Sequence, residues 1–126
     1  MKNNRLFVYG ILRRGFELDL TNPEYGCKFL GEAQINGANL YRIGSGVGLR
    51  LVEDPKRWAH GELFEIPHKL WRWLDQIEQN GYCYTRKIVK VEHINTLGYP
   101  EDIDAWIYEH TFPGFEYKNL IESGKY

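Results

Sequence analysis

Cysteine, methionine and long apolar runs are all scarce in this chain of 126 residues. The two cysteines, Cys27 and Cys83, form no CxxC pair, so we expect reduced thiols rather than a disulfide. The apolar stretch at residues 6–9 is too short for a secretory signal or a membrane span, which makes the cytoplasm the expected location. The four histidines are His60, His68, His93 and His110, and no two of them stand at the i,i+2 or i,i+4 spacing of a metal-ligand pair. We therefore expect no metal.

An excess of charge of either sign is also absent. The 16 basic and 17 acidic side chains give a formal net charge of −1, so the chain has no long-range field to gather nucleic acid or an anionic membrane, and we expect neither as a partner. Aromatic residues are abundant instead, at 15% of the chain, beside 13 glycines. This composition excludes a disordered, collagen-like or coiled-coil chain, and the length predicts one domain over residues 1–126.

Short apolar and alternating segments predict a series of strands. Asn36-Gly37 predicts a hairpin between the second and third strands, and Gly31 predicts a bulge in the second. The glycine-rich run 44–48 leads into a strand and not into a helix, which disfavours a phosphate-binding loop. The predicted strands cover residues 6–9, 27–35, 38–43, 49–53, 59–66, 84–94 and 104–109. Their order, with one helix, indicates an α+β fold with a mostly antiparallel, curved or closed sheet.

The predicted helix begins at Pro67, ends before Asn80-Gly81 and carries an acid in an unfavourable place. On a helical wheel the apolar and polar residues separate into opposite arcs, except that Glu78 falls at the border of the apolar arc. Glu78 also lies in the last turn, where the helix dipole disfavours a negative charge by about 0.3–1 kcal/mol. Both effects raise a carboxyl pKa toward neutrality, which makes Glu78 a candidate acid or base. The alternative is that Glu78 reaches solvent or pairs with Arg86.

The segment YGILRRG at residues 9–15 is a second candidate site. Gly10 follows a buried strand and allows a sharp turn, so successive N–H groups can face a carboxylate or carbonyl oxygen. Arg13 and Arg14 can add positive charge there. The alternative is an ordinary loop whose arginines are solvated.

Five segments together resemble the γ-glutamylcyclotransferase-like superfamily, which includes small AIG2-like proteins. They are LFVYGILRRG at 6–15, GELFEI at 61–66, LWRWLDQIE at 70–78, YTRKIVKV at 84–91 and AWIY at 105–108. The family typically begins with a segment like FVYGTLRRG and continues with GELYEV, LDxxE and YxR in the same order. The ending LIESGKY is similar to the ISGDW or ISGDY of the small bacterial members.

The resemblance implies a small mixed β-barrel with one main helix, short flanking helices and a pocket at one end. It implies that Glu78 is the general acid and base, and that neither a cofactor nor a metal takes part. It also implies a γ-glutamyl compound as the small-molecule partner, while the sequence leaves a monomer or a homodimer open. The implied substrate-binding residues are Tyr9, Gly10, Ile11, Leu12, Tyr84 and Tyr108.

The implied reaction is intramolecular: the α-amine of a γ-glutamyl amine or peptide attacks its own γ-carbonyl and gives 5-oxoproline plus a free amine. Ile11 replaces the Thr or Ser of the family and removes a hydroxyl from the substrate loop, and Lys125 stands where the family commonly has Asp. Ile11 therefore leaves open a non-catalytic binding or regulatory module that keeps the pocket. A third hypothesis is an RNA-binding module that uses, beside tyrosines, Arg13, Arg14, Lys87 and Lys90.

Overall fold

The computed structural model describes residues 3–10, 12–16, 18–78 and 83–126. These residues form eight strands, one α-helix and two short 3₁₀ helices. The strands are β1 (Arg5–Val8), β2 (Lys28–Asn36), β3 (Ala38–Ile43), β4 (Gly46–Leu51), β5 (Trp58–Glu65), β6 (Tyr84–Ile94), β7 (Pro100–His110) and β8 (Asn119–Leu120). The α-helix is α1 (Trp71–Ile77), and the 3₁₀ helices cover Pro23–Tyr25 and His68–Leu70. Within these ranges, no helix has the length and apolar character needed to cross a membrane.

Five of the strands close into a barrel in the order β1-β5-β2-β6-β7. Neighbours in this order are antiparallel, and the barrel closes where β7 meets β1 in a parallel contact at Trp106 and Leu6. Beyond that contact β7 pairs in parallel with β4, and β3 and β8 extend the sheet. The predicted α+β fold, a small and mostly antiparallel barrel with one main helix and short flanking helices, is confirmed.

The hairpin predicted at Asn36-Gly37 is wrong. Strand β2 pairs with β5 and β6, whereas β3 pairs with β4 and β8. Gly37 adopts a left-handed φ of 75°; its N–H donates to the carbonyl of Arg57 and its carbonyl accepts from the N–H of Val52, each at 2.8 Å. The dipeptide does turn the chain, but the turn sends β3 into a different part of the sheet because β5 occupies the place beside β2.

A hairpin instead forms in the glycine-rich run. Ile43 and Gly46 are the last opposed pair of β3 and β4, so Gly44 and Ser45 form a two-residue turn. Gly44 has a φ of 58°, a conformation that glycine adopts without steric cost. The run therefore builds a tight turn at one end of the sheet.

The other predicted strands lie close to the observed ones. Strand β6 has the predicted limits, and β7 begins four residues earlier than expected, at Pro100. The bulge expected at Gly31 is confirmed, because the register of β2 against β5 shifts between Phe29 and Gly31.

Apolar side chains form two separate cores. The first fills the barrel and is formed largely by Phe7, Tyr9, Ile35, Leu40, Leu49, Leu63, Val91 and Ile107. The second lies between the outside of the barrel and α1 and is formed by Leu6, Val8, Leu12, Leu20, Phe64, Ile66, Leu74 and Tyr108. Leu74 is fully buried, and burial of such a side chain contributes about 1.5–3 kcal/mol, so it fixes α1 against the barrel.

The helix is shorter than predicted. Pro67 has an extended backbone, with a ψ of 142°, and precedes a 3₁₀ turn instead of being the first α-helical residue. The α-helix proper has seven residues and ends at Ile77. The predicted end at Asn80 and Gly81 lies outside the described residues.

Candidate active site

A cavity of about 190 Å³ opens where β1 and β7 part. The two strands touch at Leu6 and Trp106, after which β7 turns to β4 and leaves space beyond the end of β1. The carboxyl ends of parallel strands are common ligand sites where neighbouring strands diverge in this way. The cavity is lined by Phe7, Val8, Tyr9, Gly10, Leu12, Gly46, Val47, Ile77, Glu78, Tyr84 and Tyr108.

Glu78 follows the last residue of α1 and lines this cavity. Its main-chain N–H donates to the carbonyl of Leu74 at 3.0 Å, so the buried Leu74 holds the residue in place. Burial raises the pKa of the Glu78 carboxyl from 4.5 to about 7. Arg86, the alternative partner of Glu78, has its Nε 3.6 Å from Oδ1 of Asp75 instead.

Three tyrosines from three strands or strand ends meet around the cavity. The Tyr9 hydroxyl donates to the main-chain carbonyl of Tyr108, and the Tyr84 hydroxyl donates to the carbonyl of Val47 at 3.1 Å. The Tyr108 hydroxyl donates to Oδ1 of Asp75 at 2.7 Å. Burial, as the largest cause, raises the pKa of all three tyrosines, and the charge of Glu78 adds to the rise. The three phenols are therefore held neutral near the same carboxylate.

Gly10 and Leu12 belong to the loop that follows β1 and forms one side of the cavity. A Cβ atom on Gly10 would lie 3.0 Å from Cγ1 of Val47, so glycine permits the loop to approach β4 closely. Main-chain hydrogen bonds of 3.1 Å join Arg13 to Gly10 and Leu20 to Leu12. Ile11, between the two lining residues, lies outside the described residues.

The two arginines of this loop lie away from the cavity lining. Arg14 donates from its main-chain nitrogen and its Nε to the buried carboxylate of Glu62, at 2.7 and 3.0 Å. Arg13 is buried, packs its guanidinium 4.2 Å from the centre of the Phe16 ring and donates to the main-chain oxygen of Tyr126. Neither arginine lines the cavity, so the positive charge expected at the site is not found there; of the alternative's solvated arginines, Arg14 is exposed while it pairs with Glu62, and Arg13 is buried.

The structure brings the described candidate residues around one cavity; they are Tyr9, Gly10, Leu12, Glu78, Tyr84 and Tyr108. Sequence reasoning missed Val47 and Asp75. Asp75 lies on the polar arc of the helical wheel, yet its carboxylate is partly buried against Tyr108. Its position three residues before Glu78, one helical turn away, is the feature that could have identified it.

The described lining offers one carboxylate, phenolic hydroxyls and main-chain groups. Such a set is suited to proton transfer and to holding a small polar ligand. In the part of the chain that the structure describes, no three His, Cys, Asp or Glu side chains are arranged to hold a metal ion.

Sequence comparison gives a family match that spans nearly the whole chain. The family model described as "Gamma-glutamyl cyclotransferase, AIG2-like" matches residues 6–126. A curated relative from Methanocaldococcus jannaschii, named "Putative gamma-glutamylcyclotransferase MJ1514", is 32% identical. The match covers 96% of this chain and 93% of the relative.

Two solved structures are similar in fold. An AIG2-like protein from Mus musculus has a TM-score of 0.76 at 20% identity, with 98% of this chain and 87% of that chain covered. YkqA from Bacillus subtilis has a TM-score of 0.74 at 25% identity, with 99% of this chain covered. The chain spans only 40% of YkqA, so that protein contains a large part with no counterpart here.

Proposed function

Because the chain belongs to the gamma-glutamyl cyclotransferase, AIG2-like family, we propose that it converts a γ-glutamyl amine or peptide into 5-oxoproline and a free amine. The observation that carries the proposal is the burial of Glu78 beside the cavity. Burial raises the pKa of this carboxyl to about 7, so near neutral pH it can both accept and donate a proton.

The protein has to fold its substrate, because the nucleophile and the electrophile belong to one molecule. Closing the γ-glutamyl chain brings the α-nitrogen to the γ-carbonyl carbon and forms a five-membered ring. Effective molarities of such tethered reactions are high once the reacting atoms are held about 3–3.5 Å apart. In this proposal Tyr9, Tyr84 and Tyr108 form the walls that hold the folded substrate.

The proton transfers centre on Glu78. Its carboxylate accepts a proton from the α-ammonium, and the resulting amine attacks the γ-carbonyl carbon. The carboxyl then protonates the leaving nitrogen as its bond to that carbon breaks. In total the α-nitrogen loses two protons and the leaving nitrogen gains two, so the products are a lactam and an ammonium ion and no water is consumed.

The loop after β1 is proposed to bind the acyl oxygen. Gly10 and Leu12 of this loop line the cavity, and in this proposal main-chain N–H groups of the loop donate to that oxygen. A well-aimed N–H group stabilises a developing oxyanion by about 2.7–4 kcal/mol. This role needs no side-chain hydroxyl, so it is compatible with Ile11 in place of Thr or Ser.

The size of the cavity suits the γ-glutamyl group better than a whole peptide. Its volume of about 190 Å³ equals the share of about six water molecules in the liquid. We therefore expect the leaving amine to extend out of the cavity and to contribute less to binding than the γ-glutamyl group does.

The test measures 5-oxoproline released from a panel of γ-glutamyl amino acids, γ-glutamyl-ε-lysine and simple γ-glutamyl amines. The wild type should release 5-oxoproline from at least one of them, and Glu78→Gln should lose about 10²-fold or more of the rate. The control Glu53→Gln changes an exposed carboxyl and should keep the wild-type rate. Binding of these compounds without turnover would contradict the proposal and support the non-catalytic module.

A further inference from the structure

We propose that Tyr126 is a positioning residue for the reaction, because its side chain holds together two segments that line the cavity. The segments are the loop after β1, with residues 10 and 12–16, and the β3–β4 turn, with residues 43–47. The inference rests on the proposed function, since the cavity is the same. It goes further by giving the C-terminal segment, whose Tyr126 does not line the cavity, a part in the rate.

The loop and the turn meet at the cavity. The loop contributes Gly10 and Leu12 to the lining, and the turn contributes Gly46 and Val47. A Cβ atom on Gly10 would lie 3.0 Å from Cγ1 of Val47, so the two segments are in close contact there. Within the described residues, no hydrogen bond joins the loop directly to the turn. Their separation therefore depends on what else holds each of them.

Tyr126 contacts both segments. Arg13 of the loop donates a hydrogen bond to the main-chain oxygen of Tyr126, and the centre of the Phe16 ring lies 5.9 Å from that of Tyr126. The Tyr126 hydroxyl donates to the main-chain oxygen of Ser45 in the turn at 3.2 Å. The Arg42 guanidinium, beside the turn, lies 5.6 Å from the ring centre of Tyr126, within cation–π range. The side chain thus joins the loop to the turn.

The barrel fixes the main chain that leads to Tyr126. The N–H of Ile121 donates to the carbonyl of Leu40 on β3 at 2.8 Å, and the carbonyl of Gly124 accepts from the N–H of His60 on β5 at 2.7 Å. Ile121 is buried in the core of the barrel, and the partly buried Tyr126 packs against the same core. The ring of Tyr126 is therefore a fixed point that locates the loop and the turn.

A shift of either segment reaches the groups that are proposed to act on the substrate. The N–H of Arg13 donates to the carbonyl of Gly10 at 3.1 Å, in the loop proposed to bind the acyl oxygen. The carbonyl of Val47 accepts from the hydroxyl of Tyr84 at 3.1 Å, so movement of the turn also moves the partner of one cavity wall. Tethered reactions depend strongly on geometry, and a misplacement of about 1 Å can cost about 10²-fold in rate.

Two variants of Tyr126 test this role by kinetics. Tyr126→Phe keeps the ring and loses the hydrogen bond to Ser45, whereas Tyr126→Leu loses both. We expect kcat for 5-oxoproline release to fall about two- to threefold in Tyr126→Phe and at least about tenfold in Tyr126→Leu. KM should change less than kcat, because Tyr126 places reacting groups and does not itself contact the substrate. Rates are measured at a temperature at which circular dichroism shows each variant fully folded.

The matched controls are Tyr99→Phe and Tyr99→Leu. Tyr99 precedes β7 in the turn between β6 and β7, and 67% of its surface is exposed. Both controls make the same chemical changes as the variants of Tyr126, and both should keep the wild-type kcat and KM.

Hydrogen–deuterium exchange measures the position of the two segments without turnover. In Tyr126→Leu, amides of residues 12–16 and 43–47 should exchange at least about fivefold faster than in the wild type, whereas amides of β6 should keep their rates. This pattern is expected for local opening and not for global unfolding. Faster exchange in both segments with an unchanged kcat would overturn the inference, because the contact would then be only structural.

The remaining outcomes separate this inference from the proposed function. If the wild type releases 5-oxoproline and Tyr126→Leu keeps its kcat, only this inference fails. If the wild type releases none, the proposed function fails, and calorimetry with γ-L-glutamylmethylamide takes the place of kcat. Binding at least about tenfold weaker in Tyr126→Leu then supports the positioning role, and equal binding overturns it. If Tyr126→Leu does not fold, an unchanged kcat in Tyr126→Phe overturns it.

Discussion

At the scale of single residues, Glu78 combines a cost in folding with the role in proton transfer that we propose for it. Its carboxyl is held beside a cavity by the buried end of α1, and burial raises its pKa to about 7. A carboxyl in this position destabilises the folded protein when it ionises. Two measurable pH dependences follow from this one shift.

The first dependence is in stability. Relative to Glu78→Gln, the wild type should lose free energy of unfolding as the pH rises from 4.5 to about 7. In this window the unfolded carboxyl is ionised while the folded one still holds its proton, so the folded state binds more protons and is weakened by rising pH. The difference should reach up to about 3 kcal/mol above that window. Urea titrations of both proteins across this range measure it.

The control for this titration is Glu53→Gln, because Glu53 is exposed. Its stability should run parallel to that of the wild type at every pH. If the difference between the wild type and Glu78→Gln does not change with pH, the carboxyl is not buried in solution.

The second dependence is in rate. A general base has to be ionised in the free enzyme, so kcat/KM should fall on the acid side with an apparent pKa of about 7. Initial rates of 5-oxoproline release at subsaturating substrate, measured from acidic to neutral pH, test this. An acid limb near the ordinary glutamate value of 4.5 would contradict the burial of the base.

Glu78, which lines the cavity, could be selected as a candidate from sequence because its evidence is local. The spacing on a helical wheel already placed it at the border of the apolar arc, and the LDxxE motif named the same residue. Asp75 could not be found in this way, because its partner Tyr108 comes from β7, 33 positions later. A helical wheel shows the direction in which a side chain leaves the helix, but it does not show which residue of another element that side chain contacts.

At the scale of elements, the C-terminal segment depends on one glycine. Gly124 has a φ of 70°, and its main-chain oxygen accepts a hydrogen bond of 2.7 Å from the N–H of His60. A Cβ atom on Gly124 would lie 1.9 Å from the carbonyl oxygen of Trp58, so only glycine fits against β5. The segment beyond it reaches the loop after β1, where Tyr126 accepts from Arg13.

We predict that Gly124→Ala destabilises the protein much more than Gly114→Ala does. Both glycines have left-handed backbones, but a Cβ on Gly114 meets no atom within 4 Å. Gly114→Ala should therefore cost only about 1–2 kcal/mol for the backbone conformation, and Gly124→Ala at least about 2 kcal/mol more for the collision. Thermal and urea unfolding of both variants measure the two losses. Equal losses would mean that the segment does not pack on β5.

The elements themselves could largely be predicted, whereas their pairing could not. Strand β6 matched its predicted limits because its β-branched and aromatic residues give a local pattern. The prediction of a hairpin between β2 and β3 was wrong. The partner of β2 is β5, whose paired residues lie more than 20 positions away in the sequence, and packing between such distant segments decides the choice. The Asn36-Gly37 dipeptide indicates that the chain changes direction, but it does not indicate which strands pair on either side of the turn.

At the scale of the whole molecule, the cavity is a consequence of how the barrel closes. Strand β7 leaves β1 after one parallel contact and joins β4, and the end of α1 covers the gap. No segment of the sequence contains this site, since its lining comes from β1, β4, α1, β6 and β7. The family resemblance predicted the barrel and its pocket, while the roles of Val47 and Asp75 emerge only from the assembled sheet.

The central claim is that this cavity cyclises a γ-glutamyl compound and does not hydrolyse it. The most direct test is to incubate the wild type with its best γ-glutamyl substrate in H₂¹⁸O and to analyse the products by mass spectrometry. We predict 5-oxoproline without ¹⁸O, in equal amount to the released amine, and no such product with Glu78→Gln. Glutamate carrying ¹⁸O, or no product from any γ-glutamyl compound, would contradict the account.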